Sequence, residues 1–530
     1  MRKRLGVLMC ASVLSTLVVV PGALADPGED HSDEFPVPAP TQPVHPPGIE
    51  RMELLDTADK DGTINSDIAF HRDLAFVGNF DGFRIIDISD PSDMNVLSET
   101  TCRANQGDVS VFPGERRRLY MLQSIDRPVT APDCTAVDTP TVQETDEFGV
   151  PWARAKFGYE GLRLFDVTDP ENPEFMRFYR TECGSHTHTL VPDGKRVHAY
   201  VASYPLLSQI TPQEDLDEAG DLACDAPHSK ISIVTLPVGD PANGSVQTQA
   251  LSSQTENYDH DGPVVRHEHD GQVEFHGTAP PFQACHDFQA FMPRDIVVAS
   301  CAGDLQYWDS SSPGEPTADV PGRHTLIQRE VREDDPATPA DERLESFDFV
   351  HNATVTWDGE VVAAVDEAGG GVQARCDGDL TWRGFTFFYP LVEPGTPVDG
   401  FDELGRYMVP RPQGSEVCVS HNGNVLPTTD GSHQQVQAFY QAGNSWLDFS
   451  DPADPTEVGW SDLEDSTGAA DSWSSYWYND VLYVNGGLGR RPAGNRGFEA
   501  YALLDESGER VNLRNWRWLN PQTQESWQVP

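Results

Sequence analysis

The sequence predicts an all-β fold, a seven-bladed β-propeller in which an N-terminal strand closes the last blade. Three observations carry that expectation. Strand-like segments ending at an Asp-Pro step recur along the chain, and a second series of segments opened by histidines or other polar residues interleaves with them. Nearly 480 residues also follow the N-terminal region, more than one compact core usually holds, and a repeat architecture resolves that conflict.

Taken in order, residues 1–25 read as a signal peptide: Arg2, Lys3 and Arg4 precede an apolar stretch from Leu5 to Val20, and Ala23-Leu24-Ala25 has the small-x-small form of a cleavage site. Residues 26–47 are proline-rich and acidic and read as an extended linker. Residues 48–530 form the propeller domain. Residues 49–58 resemble an outer strand without an inner strand before it, whereas the last unit runs out after its third strand. The two halves are expected to complete one blade, which removes free sheet edges.

The Asp-Pro segments are clearest at 82–99 (GFRIIDISDPSDMNVLSE), 161–180 (GLRLFDVTDPENPEFMRFYR) and 444–462 (NSWLDFSDPADPTEVGWSD). Aspartate accepts from backbone amides in the turn, and proline fixes φ and withholds a donor, so the ladder ends there. Weaker copies occupy 230–241, 304–313 and 384–394, with a degenerate one at 498–511. Between them, His186 opens HTHTLVP, His286 opens HDFQAFM, His351 opens HNATVTW and His421 opens HNGNVLP. Asn65, Gly107 (or Asp108 with a one-residue slip) and Asp471 hold the matching place in the other units. In a propeller these positions line one mouth of the central channel, so the four histidines converge there.

The segments GFRIIDISDPSDM and GLRLFDVTDPENPEF resemble LVIVD repeats, short β-propeller motifs of secreted and cell-surface bacterial proteins. The resemblance implies the fold and export. It brings no shared catalytic mechanism, and leaves activity open.

Removal of Cys10 with the signal leaves an even eight of the nine cysteines, which in an oxidising compartment favours disulfides. On the blade map all eight fall on the histidine face. Chain neighbours suggest Cys102 with Cys134, Cys183 with Cys224, Cys285 with Cys301, and Cys376 with Cys418. Long insertions at 124–156, 205–229, 246–283, 331–347 and 395–416 crowd the same face. Stapled loops around a channel mouth suit a preformed ligand site, and equally a cover over apolar blade surface.

Neutral imidazole suits Fe, Cu or Zn, and the residue types do not choose among these divalent transition metals. Metal–nitrogen bonds of about 2 Å need ligand nitrogens roughly 3.3 Å apart, so the rings of His186, His286, His351 and His421 must aim at one off-axis point. His188 is a spare on the same strand face, and Asp471 is a carboxylate ligand or second-sphere acceptor in this reading. The alternative is a hydrogen-bonded channel lining. Four-histidine iron in a seven-bladed propeller is similar to the centre of carotenoid-cleaving oxygenases, but none of their motifs is visible. Separately, Asn257, Asp259, Asp261, Gly262 and Glu268 fit a calcium-loop spacing, although the flanks are not helical and a β-hairpin is the simpler reading.

Net charge of −49 disfavours nucleic acid and anionic membrane as partners, and no second apolar run has spanning length. Hydrolase elbows, P-loops, dinucleotide fingerprints and H-E-x-x-H are missing. The expectation is a secreted monomer that binds an extracellular ligand or protein through its histidine-lined face. An extracellular, oxidoreductase-like metalloenzyme using the channel histidines is the alternative.

Overall fold

The computed structural model describes residues 45–525 apart from 61, 146–150, 207, 227, 252–264, 270–271, 277–283, 302–303, 326–349, 368–383, 397–402, 414–415, 466–467, 470–471 and 487–496. Strand makes up 53% and helix 5%, so the architecture is decided by how sheets pack.

The chain folds as successive four-stranded antiparallel meanders. The first comprises Asn65–His71, Leu74–Asn79, Gly82–Asp87 and Asn95–Thr101, and the second Val109–Pro113, Leu119–Val129, Tyr159–Asp166 and Glu174–Arg180. The third comprises Thr187–Asp193, Arg196–Ala202, Lys230–Pro237 and Ser245–Ala250, and the fourth Asp287–Phe291, Ile296–Cys301, Asp304–Asp309 and Thr317–Thr325. Val350–Val355, Val361–Asp366, Thr386–Pro390 and Gly405–Tyr407 make the fifth, and Asn422–Val425, Gln434–Ala438, Asn444–Asp448 and Thr456–Asp462 the sixth. Ser472–Tyr478, Val481–Gly486 and Gly497–Leu503 follow, and Met52–Ala58 pairs antiparallel with Gly497–Leu503 to supply their fourth strand. The sixth meander and this last one are joined through parallel pairs Asn422↔Ser474 and Gly423↔Ser475.

First strands of consecutive meanders touch one another in order, and Ser472–Tyr478 returns to Asn65–His71. The core is accordingly divided among the interfaces between sheets rather than gathered in one centre. Phe76, Phe83 and Ile85 pack on Val111, Met121 and Phe165, for example, and Val191 and Tyr200 on Phe288 and Trp308. Sheets covered on both faces explain why interior strands such as Ile296–Cys301 and Val361–Asp366 are apolar without alternation.

The Asp-Pro turns work as their residue types dictate. Asp87, Asp166 and Asp448 end third strands by accepting from the amides of Ser89 (2.9 Å), Thr168 (3.0 Å) and Ser450 (2.9 Å). Asp90, Asp169 and Asp451 do the same one turn later for Ser92 (3.0 Å), Glu171 (3.2 Å) and Ala453 (3.1 Å). The arginine of each Gly-apolar-Arg opening is buried and ties neighbouring sheets together. Arg84 Nη1 donates to the carbonyls of Ala58 (2.9 Å) and Asp59 (3.0 Å), and Arg163 donates to those of Arg103 (2.7 Å) and Pro132 (3.0 Å). Burial pushes both guanidinium groups down to about 10.

Cys102–Cys134, Cys183–Cys224 and Cys285–Cys301 are disulfides, three of the pairs that chain order suggested. Cys418 is disulfide-bonded as well, and Cys376 lies outside the described residues.

The tail carries an arrangement that the sequence reading did not assign. Leu519 and Trp518 pair with Phe70 and His71, and Thr523 and Gln524 run parallel beside Ala290 and Phe291. Between them Asn520 Oδ1 accepts from Val111 N and its Nδ2 donates to Val111 O, both at 2.8 Å. Thr523 Oγ1 donates to Leu190 O (2.7 Å) and Gln524 Nε2 to Val355 O (2.8 Å). The tail thus bonds the first strands of five successive meanders, beyond the histidine-bearing ends.

Candidate functional site: a buried imidazole row

The four histidines reach the same point because the same backbone bond recurs where each meander begins. His186 N donates to Ala202 O (2.9 Å), His286 N to Ser300 O (2.7 Å) and His421 N to Ala438 O (2.9 Å), each carbonyl standing at or next to the end of the second strand. His351 enters within Val350–Val355. Closure of the first strands then sets the rings side by side, with centroid separations of 4.4 Å from His186 to His286, 4.0 Å to His351 and 4.3 Å to His421.

Hydrogen bonds to carbonyls fix the tautomers, because a carbonyl only accepts. His286 Nδ1 donates to His351 O at 3.0 Å and His421 Nδ1 donates to Trp473 O, which leaves Nε2 as the lone-pair nitrogen in both. Burial and then the neighbouring imidazoles hold His286 and His351 well below the ordinary histidine range, and burial takes His421 down to about 3. His286, His351 and His421 are therefore neutral, the form that ligates metal.

A carboxylate caps it. Glu367 directly follows Val361–Asp366, and its oxygens lie 3.6 Å from His351 Nε2 and 3.5 Å from His421 Nε2, with Tyr440 donating its hydroxyl to the same group. Burial raises Glu367 to about 7. Ligand atoms of His286, His351 and Glu367 all lie within 4.8 Å of one another. His186, at the end of the row, is engaged elsewhere, with Gln106 Nε2 at 3.0 Å, Tyr204 OH at 3.2 Å and Asp126 Oδ1 at 3.3 Å. Beside the row is a cavity of about 10 Å³ lined by His286, His351, His421 and Trp473, together with Ser66, Asp67, Gln106, Asp108, Thr187 and Asn422.

His188 does not extend the row. Its Nδ1 lies 2.8 Å from Ser124 Oγ and 3.0 Å from Asp108 Oδ2, so it buttresses the wall that Asp108 forms. Asp471, Asn257, Asp259 and Asp261 lie outside the described residues. Glu268 is on Val265–His269, which pairs antiparallel with Gln272–His276. Sequence reasoning missed Glu367, Tyr204 and Tyr440, which occupy the exits of second strands in three meanders. That shared exit position was the available signal. A further metal-capable group joins exposed Asp358 and Glu360 of one hairpin turn with half-buried His433 of another, where His433 Nε2 already bonds Asp358 at 2.7 Å.

The LVIVD repeat family model matches residues 64–101, which cover the first meander, and such repeats are associated with β-propeller-like cell-surface proteins. The chain thus carries an LVIVD repeat within an all-β, propeller-like architecture. Among solved structures, a putative 6-phosphogluconolactonase from Bacteroides fragilis is similar at 10% identity and a TM-score of 0.39, over 88% of this chain and 99% of that one. A likeness of that size fixes neither fold nor activity. No curated protein matches the chain. No helix among the described residues is long and apolar enough to cross a membrane.

Proposed function

We propose that this protein is a secreted, closed seven-bladed β-propeller acting as an extracellular binding module, with a transition-metal ion held beneath its disulfide-stapled face by His286, His351, His421 and Glu367. The carrying observation is the convergence of His286, His351 and Glu367 ligand atoms within 4.8 Å, in a place where burial keeps the imidazoles neutral. Nitrogen and carboxylate donors of this kind suit Fe, Cu or Zn. The ordered contact of first strands, returning to Asn65–His71, supports ring closure. The disulfides support an oxidising compartment. A cavity of about 10 Å³ beside the donors admits an ion or one water but not an organic substrate, which favours an ion-holding centre over the metalloenzyme alternative.

The test is elemental analysis of protein purified without an affinity tag, before and after incubation with Fe, Cu or Zn and dialysis. About one equivalent of one metal is expected in the native chain and none in a His286→Ala, His351→Ala double variant with an unchanged circular-dichroism spectrum. Native protein that retains no metal after incubation overturns the reading.

A further inference from the structure

The same cavity is also lined by residues of different chemistry. Asp67, Asp108 and Ser66 border it, and among the described residues no lysine or arginine does. Both Asp67 oxygens already accept, Oδ1 from Ile68 N (2.8 Å) and Ser474 Oγ (3.2 Å) and Oδ2 from Gln522 Nε2 (2.7 Å). Asp108 uses only Oδ2, which accepts from His188 N at 2.7 Å and lies 3.0 Å from His188 Nδ1. Its Oδ1 has no hydrogen-bond partner among the described residues although Asp108 is 2% exposed, and the same holds for Ser66 Oγ at 1% exposure. Polar atoms that deep are nearly always satisfied, and an unsatisfied carboxylate oxygen is the costlier case. A third buried carboxylate, Asp287, stands behind Thr187, whose hydroxyl lies 3.2 Å from it.

Two carboxylates sharing a cavity without a cationic side chain need a counter-charge. Without a bound cation the site retains a proton instead: burial first, then the charge of Asp108, lifts Asp67 to about 7. A volume of about 10 Å³ is that of one dehydrated ion or one water.

We infer that Asp67, Asp108 and Ser66 form a hard-cation seat, of the calcium class, in the cavity that the imidazole row also lines. Carboxylate and hydroxyl oxygens select such ions, whereas the imidazole side selects transition metals. The seat rests on oxygens that the transition-metal reading does not use, but both ions draw on one cavity of about 10 Å³ and so exclude one another, which is why calcium is measured on stripped protein.

The test uses full-length oxidised protein, stripped with EDTA and titrated with CaCl2 by calorimetry, with calcium and transition metals counted separately by elemental analysis. One calcium per chain is expected. Asp108→Asn, which keeps an acceptor for His188 N and replaces the unpartnered oxygen, should weaken binding at least ten-fold, and Ser66→Ala by a smaller factor, with transition-metal content unchanged in both. Native protein that takes up no calcium at millimolar concentration, or Asp108→Asn that folds and binds calcium as the native chain does, overturns the proposal and identifies the cavity as a water or proton site. Loss of transition metal alone in the His286→Ala, His351→Ala variant bears only on the other centre.

Discussion

Asn520 offers the sharpest test of how the first strands are held together. Its side chain imitates a strand partner, giving both hydrogen bonds of a backbone pair to Val111 at 2.8 Å each. Replacement by Leu keeps the volume and the buried position but leaves one amide and one carbonyl of Val111 without partners. At about 1–3 kcal/mol for each orphaned group, the loss is roughly 2–6 kcal/mol. An unfolding entropy of about 2.1 cal/mol/K per residue over the roughly 480 residues from Gly48 onward comes to ~1 kcal/mol/K, so Tm should fall by about 2–6 °C. The assay is calorimetry of oxidised protein at fixed pH and metal content, beside an Asn520→Asp variant that keeps the acceptor for Val111 N and loses the donor for Val111 O. A Tm within about 1 °C of the native value for Asn520→Leu would show that the tail rests on the sheets without securing them.

Other outcomes follow from features already described. Arg84→Met removes the donors to Ala58 and Asp59 carbonyls, so the amides of Met52–Ala58 should exchange with deuterium at least ten-fold faster, while Asp287–Phe291 keeps its protection. Replacing Cys183 and Cys224 by Ser opens a loop of 41-residue separation, and chain entropy puts the cost at about 4 kcal/mol, to be read from the shift in urea midpoint. Glu160 is buried and raised well above the usual carboxylate range, first by burial and then by Asp126. Its folded form keeps a proton that the unfolded chain has released, so native stability falls as pH rises above the ordinary Glu value. Glu160→Gln should therefore gain on the native protein by about 1.4 kcal/mol per pH unit in that range, and a pH-independent difference would refute the assignment.

What was legible in the sequence was whatever local chemistry or strand register announces. Asp87, Asp166 and Asp448 satisfy amides two residues away, so their turns could be read in place. His186, His286 and His421 could be aligned because each begins a first strand, and one recurring backbone bond sets all three in register. Glu367 and Tyr440 escaped notice because their importance depends on where second strands end, and strand ends leave a weak trace in apolar segments such as Val361–Asp366. Asn520 through Gln524 look like a polar surface tail. Their partners are backbone groups of Val111, Leu190 and Val355, far away in sequence, and no local pattern encodes such a bond.

Arg51 Nε donates to the carbonyl of Leu504 across 453 residues, and Met52–Ala58 borders the sheet that Leu504 leaves. During synthesis that early strand waits for its neighbours until almost the whole polypeptide has emerged, and every intermediate before then keeps two unpaired sheet margins. Assembly of this molecule is consequently decided late, by a single long-range encounter. A product cut short at either margin is an open arc with adhesive edges rather than a slightly weaker version of the same protein.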